Sequence, residues 1–184
     1  MKIMIDAGHG FNTPGKQTPD GMKEYEFNRA TALWLKKYLG LYKNVSVHFA
    51  HSDEYDVPLQ QRTAHANSIG AHLYVSLHAN AYGNGWSEPN GVETYIHSSR
   101  PAAAASLANI IQERLAKAAG LRNRGVKTAN FQVLRQTKCT ALLVECGFMT
   151  NRHEASLLRD DSFRKLCAKE ISKSIADYYS LSTI

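Results

Sequence analysis

The sequence lacks the features of membrane-spanning and disulfide-stapled proteins. No apolar run among its 184 residues approaches the roughly 20 residues that a helix needs to span a bilayer. The three cysteines, Cys139, Cys146 and Cys167, are odd in number and form no CxxC pattern. These absences argue against a disulfide framework and against a structural thiolate zinc site. A chain of this length can bury enough surface to fold as one domain without either.

Concentrated charge and a recognisable leader are also missing. The net charge is +6, but the basic residues are spread out, apart from Arg122, Arg124 and Lys127. A basic balance favours anionic partners such as an anionic cell-wall polymer, although a solvated surface explains it equally well. No nucleic-acid-binding motif is present, so we expect no nucleic-acid partner. The apolar part of MKIMIDAGHG is too short for a signal peptide, so we expect synthesis in the cytoplasm and no membrane insertion.

Strand and helix patterns alternate along the chain, with no repeat, low-complexity segment or linker. The predicted strands are Lys2–Asp6, Val45–Ala50, His72–His78, Gly91–His97, Phe131–Leu134 and Ala141–Glu145. The predicted helices are Phe27–Leu39, Pro58–Ile69, Ala102–Ala119 and Ser162–Tyr179, with a short helix after an Asn151–Glu154 capping box. In the first helix the period places Phe27, Ala30, Trp34 and Tyr38 on one face. This order predicts an α/β sandwich with a largely parallel sheet, whose functional groups lie beyond the carboxyl ends of the strands.

Three polar residues lie at predicted strand ends, next to small-residue turns. They are His9 in DAGHG, His78 in SLHAN and Glu145 in LLVECGF. Burial of an unpaired carboxylate is costly, so Glu145 needs a metal, a cation or a water-filled cleft. Two imidazoles and a carboxylate suit a catalytic zinc ion, which takes three protein ligands and keeps one position for water. Glu24 and Glu26, at the start of the first helix, are both candidates for the third ligand.

Other residues compete for these roles. A lone strand-end histidine is more often a hydrogen-bonded structural residue than a ligand, and His51 also follows a strand. Asp6 could be a metal carboxylate, but a strand-end residue that bonds the turn amides is the stronger interpretation. Cys146 could be a nucleophile, yet strand alternation places it opposite Glu145, as a packed core thiol.

An ordered set of short segments carries a family resemblance. The segments are IDAGHG, EYEFN, LQQRTAHAN, LYVSLHANA, GVETYI, RGVKTANFQVLRQTKCTALLVECGFMTN and EASLL. From Lys2 to about Tyr179 this set resembles the zinc-dependent N-acetylmuramoyl-L-alanine amidases, the family of cell-wall autolysins, sporulation amidases and phage endolysins. The resemblance implies a mixed six-stranded sheet flanked by helices. It also implies a catalytic domain over residues 1–180, with residues 181–184 as a C-terminal tail.

The resemblance implies a metal site. In the family the ligands fall on His9, Glu24 and His78, which would hold one Zn²⁺ ion. The family's ligand glutamate precedes a helix asparagine by four positions, as Glu24 precedes Asn28, which leaves Glu26 as a solvent-facing or capping residue.

This chain departs from the family pattern in two places. Ala50 and His51 stand where many relatives have Thr-Arg, and Thr140 stands where many have Pro. We interpret the first departure as a substitution outside the metal shell.

The implied reaction is hydrolysis of the amide between N-acetylmuramic acid and the L-alanine of the peptidoglycan stem peptide. Zinc would activate a water molecule and polarise the amide carbonyl, while Glu145 would take the water proton and pass it to the leaving nitrogen. A zinc peptidase that cuts the stem peptide or cross-bridge is the main alternative, and a wall-binding module without catalysis is the second. We expect a monomer that reaches the wall by holin-dependent release, as an endolysin does, or by export, as an autolysin or spore enzyme does.

Substrate contacts are predicted from position alone. Asn80, just beyond His78, could bond the peptide or its own turn. Trp86, in the loop from Tyr82 to Gly91, could stack on a sugar or peptide plane or anchor a lid. Arg124 and Lys127 could bind stem-peptide carboxylates or wall phosphates, although charged side chains of this kind are more often surface residues that contact only water.

Overall fold

Strands and helices largely alternate along the chain. The structure, a computed structural model, describes residues 1–13 and 15–184. In chain order the elements are β1 (Lys2–Ala7), α1 (Glu24–Leu39), β2 (Ser46–Phe49), α2 (Leu59–Ser68), β3 (Leu73–Asn80), β4 (Val92–His97), α3 (Ala102–Ala119), β5 (Asn123–Ala129), α4 (Gln132–Arg135), β6 (Thr140–Phe148), α5 (Arg152–Arg159) and α6 (Asp161–Tyr179). Among these described elements, only β3–β4 and α5–α6 are consecutive elements of the same kind.

The strands form one mixed sheet with the order β2-β1-β3-β6-β4-β5. Among the described strands, β4 and β6 pair antiparallel and the other neighbours pair parallel. The carboxyl ends of β1, β3 and β6 therefore lie side by side at one edge of the sheet. The predicted α/β fold with a largely parallel six-stranded sheet is confirmed.

Alternation along the strands gives the sheet two unlike faces. The apolar face packs against α1, α3 and α6, and its strand residues include Ile3, Ile5, Leu73, Val75, Leu77, Leu142 and Val144. The opposite face, here called the cleft face, has a smaller core beneath α2 and α4 that includes Met4, Tyr74 and Leu143. Towards the carboxyl edge the cleft face becomes polar, with Asp6, Ser76, His78, Glu145 and Glu93 in adjacent register positions.

Two predicted elements differ from the structure. Phe131–Leu134 does not form a strand, because this short apolar run begins the helical turn of α4 (Gln132–Arg135). The strand missing from the prediction is β5 (Asn123–Ala129), a half-buried edge strand of sequence NRGVKTA with no apolar alternation. An edge strand needs only one hydrogen-bonded neighbour, so its sequence carries a weak signal.

The longer observed helices agree closely with the predicted ones in their first and last residues. α3 ends at Gly120, whose φ of +66° is the left-handed conformation that glycine adopts readily. In α1 the shared face of Phe27, Ala30, Trp34 and Tyr38 is not the most buried one. Trp34 and Tyr38 are half-buried, whereas the buried positions include Phe27, Ala32, Leu35 and Leu39. In the part of the chain that the structure describes, no helix is both long and apolar enough to cross a membrane.

The predicted capping box at α5 is half formed. The Asn151 side chain accepts a hydrogen bond from the backbone N–H of Glu154 at 3.2 Å. The Glu154 carboxylate does not return to Asn151; it accepts hydrogen bonds from the N–H groups of Gly91 (2.7 Å) and Phe148 (2.6 Å). Glu154 therefore ties the start of β4 to the end of β6.

The last residues are attached to the turn that follows α1. Ser182 accepts a backbone hydrogen bond from Lys43 at 2.8 Å, and Ile184 donates one to Leu41 at 2.9 Å. The boundary between a domain of residues 1–180 and a tail of residues 181–184 stays a prediction.

Candidate metal centre

Three side chains meet at the carboxyl edge of the sheet. His9 follows β1, Glu24 is the first residue of α1, and His78 lies near the end of β3. The Glu24 carboxylate lies between the imidazoles, with Oε2 3.2 Å from Nε2 of His9 and Oε1 2.8 Å from Nδ1 of His78. Their ligand atoms all lie within 4.8 Å of one another, so one ion can contact all three.

The electrostatics of this group suit a cation. Burial disfavours a charged Glu24, but hydrogen bonds with His78 and His9 outweigh it and hold the pKa of Glu24 well below its ordinary value. Burial likewise works against a charged His78, and the Glu24 carboxylate outweighs it and raises the pKa of His78. The carboxylate thus favours a proton on His78, and a metal ion can replace that proton. Two imidazoles and a carboxylate are donors that borderline transition metals accept.

Small residues allow this close approach. A Cβ atom on Gly8 would lie 2.1 Å from Cε1 of His78, and one on Gly15 would lie 2.4 Å from Oε2 of Glu24. His9 itself has a φ of +66°, a left-handed conformation that costs a non-glycine residue about 1–3 kcal/mol. Arg62 holds this loop, since its Nη2 donates to the His9 carbonyl at 2.5 Å.

Glu145 lies beside the group, as the register partner of His78 on β6. Its Oε2 atom is buried and has no hydrogen-bond partner within residues 1–13 and 15–184. Burial raises the pKa of Glu145 to about 8; His78 opposes this rise and Glu24 adds to it. A carboxyl group with a raised pKa and an uncommitted oxygen can exchange protons with a molecule in the cleft.

These four residues line one cleft of about 990 Å³ on the cleft face. Its walls include Val57 and Leu59 at the start of α2 and Phe131–Val133 at the start of α4. Leu59 and Phe131 are 46% and 42% exposed, which leaves apolar contact surface at the rim. The volume is at the upper end for small-molecule sites, so an extended substrate can enter.

Comparison with known proteins assigns this arrangement to a family. Residues 3–177 match the family described as N-acetylmuramoyl-L-alanine amidase. The N-acetylmuramoyl-L-alanine amidase CwlM of Bacillus licheniformis is 38% identical over 183 residues, which are 99% of this chain and 70% of CwlM. The chain belongs to this amidase family. The amidase LytC of Bacillus subtilis (strain 168) is also 38% identical, over 96% of this chain and 35% of LytC.

The fold of this amidase agrees with a solved structure over nearly its full length. The catalytic domain of CwlV, an N-acetylmuramoyl-L-alanine amidase from Bacillus (Paenibacillus) polymyxa var. colistinus, superposes with a TM-score of 0.91 at 34% identity. The match covers 98% of this chain and 99% of that one. The resemblance found in the sequence is thereby confirmed.

Asn80 lines the cleft of the amidase, but both ends of its amide are engaged. Its Nδ2 donates to Oε1 of Glu93 at 2.5 Å, and its Oδ1 accepts from the N–H of Ala81 at 2.8 Å. The turn-orienting interpretation therefore has direct structural support. A contact between Asn80 and substrate stays a prediction.

Trp86 and Arg124 are held by other side chains. The Arg152 guanidinium lies 4.5 Å from the Trp86 ring centroid. Arg124 donates through Nε to Oε2 of Glu93 at 2.8 Å, and the Lys127 ammonium contacts the same oxygen. Neither Trp86 nor Arg124 belongs to the cleft lining found in the described residues, and their substrate contacts stay predictions.

Asp6 and His51, the two other candidate ligands, do not belong to the metal group found among the described residues. The sequence predicts that Asp6 bonds the turn amides, but in the structure Asp6 instead accepts from Nη1 of Arg62 and from Oγ of Ser76, each at 2.7 Å. The Arg62 partner cannot be predicted from the sequence, because Arg62 lies on α2, far from Asp6 along the chain. His51 accepts from the N–H of Ala7 at 3.1 Å through Nδ1, and burial lowers its pKa to about 4.

The remaining alternatives have structural roles. Glu26 accepts a hydrogen bond from the N–H of Lys23 at 2.9 Å and caps the start of α1. Cys146 is fully buried on the apolar face, opposite Glu145, as strand alternation predicts. It therefore packs as a core thiol.

Sequence reasoning misses three residues that organise the site. Arg62 contacts segments far from it in the chain, so no local pattern reveals it. Ser76 precedes His78 by two positions and therefore shares its side of β3, a signal that the sequence does contain. Glu93 interrupts an apolar strand, as Glu145 does. Its carboxylate accepts hydrogen bonds from Asn80, Arg124 and Lys127.

Proposed function

We propose that this chain hydrolyses the amide bond between N-acetylmuramic acid and the L-alanine that begins the peptidoglycan stem peptide. Family membership supplies the reaction class. The observation that carries the proposal is the group of His9, Glu24 and His78 in one cleft with the uncommitted carboxyl of Glu145. Residues 1–180 would be the catalytic domain.

His9, Glu24 and His78 would hold one Zn²⁺ ion. Their donor set is one that catalytic zinc uses when a position is left open for water or substrate. When bound, zinc supplies a lowered pKa for water and polarisation of the amide carbonyl. The Glu24 carboxylate is central to this site because it already contacts both imidazoles.

Glu145 would carry the protons of the reaction. Its carboxylate accepts a proton from the attacking water, whose oxygen forms a bond to the amide carbon. The same group then gives the proton to the alanine nitrogen as the C–N bond breaks. A cation held by His9, Glu24 and His78 would counteract the burial that raises the Glu145 pKa and would favour the ionised form that can act as a base. The products are the free carboxylate of the muramic acid lactyl group and a peptide with an L-alanine amino terminus.

The cleft would receive the glycan and the stem peptide together. The exposed faces of Leu59 and Phe131 offer apolar surface to sugar rings or alanine methyl groups. The net charge of +6 favours approach to an anionic cell wall. We expect the chain to act there as a monomer.

Product analysis tests this function against its rival. Purified peptidoglycan is digested with the protein, and the fragments are identified by mass spectrometry. We expect peptides that begin with L-alanine and glycan strands without peptide, a reaction stopped by a chelator and restored by zinc. Peptides without their first alanine, with that alanine still on the muramic acid, would instead establish a stem-peptide peptidase.

A further inference from the structure

A continuous row of hydrogen bonds leads from His78 into the protein. Nε2 of His78 lies 3.1 Å from Oγ of Ser76, which donates to Oδ2 of Asp6 at 2.7 Å. Oδ1 of Asp6 in turn accepts from Nη1 of Arg62 at 2.7 Å. Asp6, Ser76 and Arg62 are each at most 2% exposed, so water competes little for these bonds.

The chemistry of the groups gives this row a direction. Asp6 is paired with a guanidinium, so it is a carboxylate and can only accept hydrogen bonds. The single hydroxyl hydrogen of Ser76 therefore points to Asp6, and Ser76 can only accept from His78. Nε2 of His78 must then carry a hydrogen. The other nitrogen, Nδ1, faces the Glu24 carboxylate at 2.8 Å and is the one available to a metal ion.

Arg62 also links this row to the second histidine. Its Nη1 donates to the Ala7 carbonyl at 2.8 Å and its Nη2 donates to the His9 carbonyl at 2.5 Å. Its Nε donates to the Val57 carbonyl at 2.8 Å, which fixes the plane of the guanidinium. A lysine at this position could not make these contacts, since its one nitrogen cannot reach them together.

We propose that Ser76, Asp6 and Arg62 are positioning residues, which present Nδ1 of His78 and the His9 loop to the metal ion. This inference rests on the proposed function, because it takes both histidines as ligands. Outer partners of a metal-bound histidine fix its tautomer and ring orientation, and their loss weakens metal affinity by about 10- to 100-fold. If these three residues had only a structural role, their substitution would lower the stability of the protein without changing the zinc affinity of the folded form.

Ser76→Ala is the sharpest variant, because it removes one hydroxyl and leaves the Asp6–Arg62 pair in place. Ser174→Ala is its matched control, since Ser174 is also fully buried but donates to the Glu170 carbonyl on α6. Zinc affinity is measured by competition with a chelator, and thermal unfolding reports stability. We expect Ser76→Ala to bind zinc about 10- to 100-fold more weakly and Ser174→Ala to bind it like the wild type.

Arg62→Lys and imidazole NMR provide readouts that do not depend on Ser76→Ala. Arg62→Lys should also lower zinc affinity. In the zinc-loaded wild type, ¹⁵N spectra of His78 should show a hydrogen on Nε2. A hydrogen on Nδ1 instead, or wild-type zinc affinity in both Ser76→Ala and Arg62→Lys, overturns the positioning proposal. Failure of the wild type to bind zinc, or unchanged binding in His78→Ala, contradicts the proposed function itself and is a separate outcome.

Discussion

The two faces of the sheet use the same strands for different purposes. Along β3, Leu73, Val75 and Leu77 enter the apolar face, whereas the alternate positions Ser76 and His78 enter the cleft face. On the apolar face each buried leucine contributes about 1.5–3 kcal/mol of stability through burial. The cleft face is instead costly, since it buries carboxylates and is bordered by His9, which is held in a left-handed conformation. We infer from this comparison that stability comes mainly from the apolar face, whereas the proposed chemistry belongs to the cleft face.

Buried ionic groups make the cleft face sensitive to single changes. The Asp6–Arg62 pair is almost completely buried, so loss of either partner leaves an uncompensated charge. Glu145 already has a buried carboxylate oxygen, Oε2, with no hydrogen-bond partner among the residues described. If Glu145 carries protons as proposed, substitutions on the two faces should separate activity from stability.

The largest effect is expected from Glu145→Gln. Removal of the proposed proton carrier should lower kcat by about 10²- to 10⁴-fold, while zinc stays bound. The measurement is release of L-alanine amino termini from peptidoglycan, with zinc content determined on the same sample. Glu26→Gln, an exposed glutamate of α1, is the control and should retain activity. Retained activity in Glu145→Gln would remove this residue from the mechanism.

On the apolar face, Leu142→Ala should lower the free energy of unfolding by about 2–5 kcal/mol, because the cavity cannot fully collapse. Its zinc affinity should match that of the wild type. Denaturant unfolding measures the loss, and Leu33→Ala, at a position 47% exposed, serves as the control with an effect below about 0.5 kcal/mol. A large drop in zinc affinity for folded Leu142→Ala would contradict the separation of the two faces.

The polar edge should also make stability depend on pH through His51. Burial holds its pKa at about 4, below the ordinary 6.5, so the unfolded chain binds more protons between these values. Stability is therefore fully present above pH 6.5 and falls as pH drops towards 4, by about 3 kcal/mol for this residue. His51→Asn can still accept from the N–H of Ala7 but does not titrate, and should show a shallower decline. Equal slopes for the two proteins would refute this assignment.

The smallest effect is expected away from both faces, at the start of α5. Asn151→Ala removes the side chain that accepts from the N–H of Glu154 and should cost about 1 kcal/mol in unfolding free energy. Asn151→Ser keeps a capping oxygen and should lose less. Activity on peptidoglycan should remain in both variants. A loss in Asn151→Ser as large as in Asn151→Ala would show that the cap does not matter.

Local chemistry explains which elements the sequence predicts. α3 is predicted at its observed bounds because its alanine-rich run ends at Gly120, a glycine suited to a left-handed cap. The four-residue run Phe131–Leu134 is wrongly predicted as a strand, since so short an apolar run fits either structure. β5 escapes prediction because its pairing with β4, rather than its own composition, makes it a strand.

For the site, strand-end position is the decisive signal in the sequence. It selects His9, His78 and Glu145, because parallel strands deliver their carboxyl ends to one edge of the sheet. Glu24 can be separated from Glu26 only through the family resemblance, since both lie at the start of the same helix. Arg62 cannot be found in this way, because its partners belong to β1 and to the loops after β1 and β2 and meet only in the folded chain.

Zinc stoichiometry is the most direct test of the metal centre. Bound zinc is measured per chain in the wild type, in His9→Ala, Glu24→Ala and His78→Ala, and in Glu26→Ala as the matched control. We predict one zinc ion in the wild type and in Glu26→Ala, and strongly reduced zinc in the other three. Full zinc in Glu24→Ala, or its loss in Glu26→Ala, would contradict the assignment.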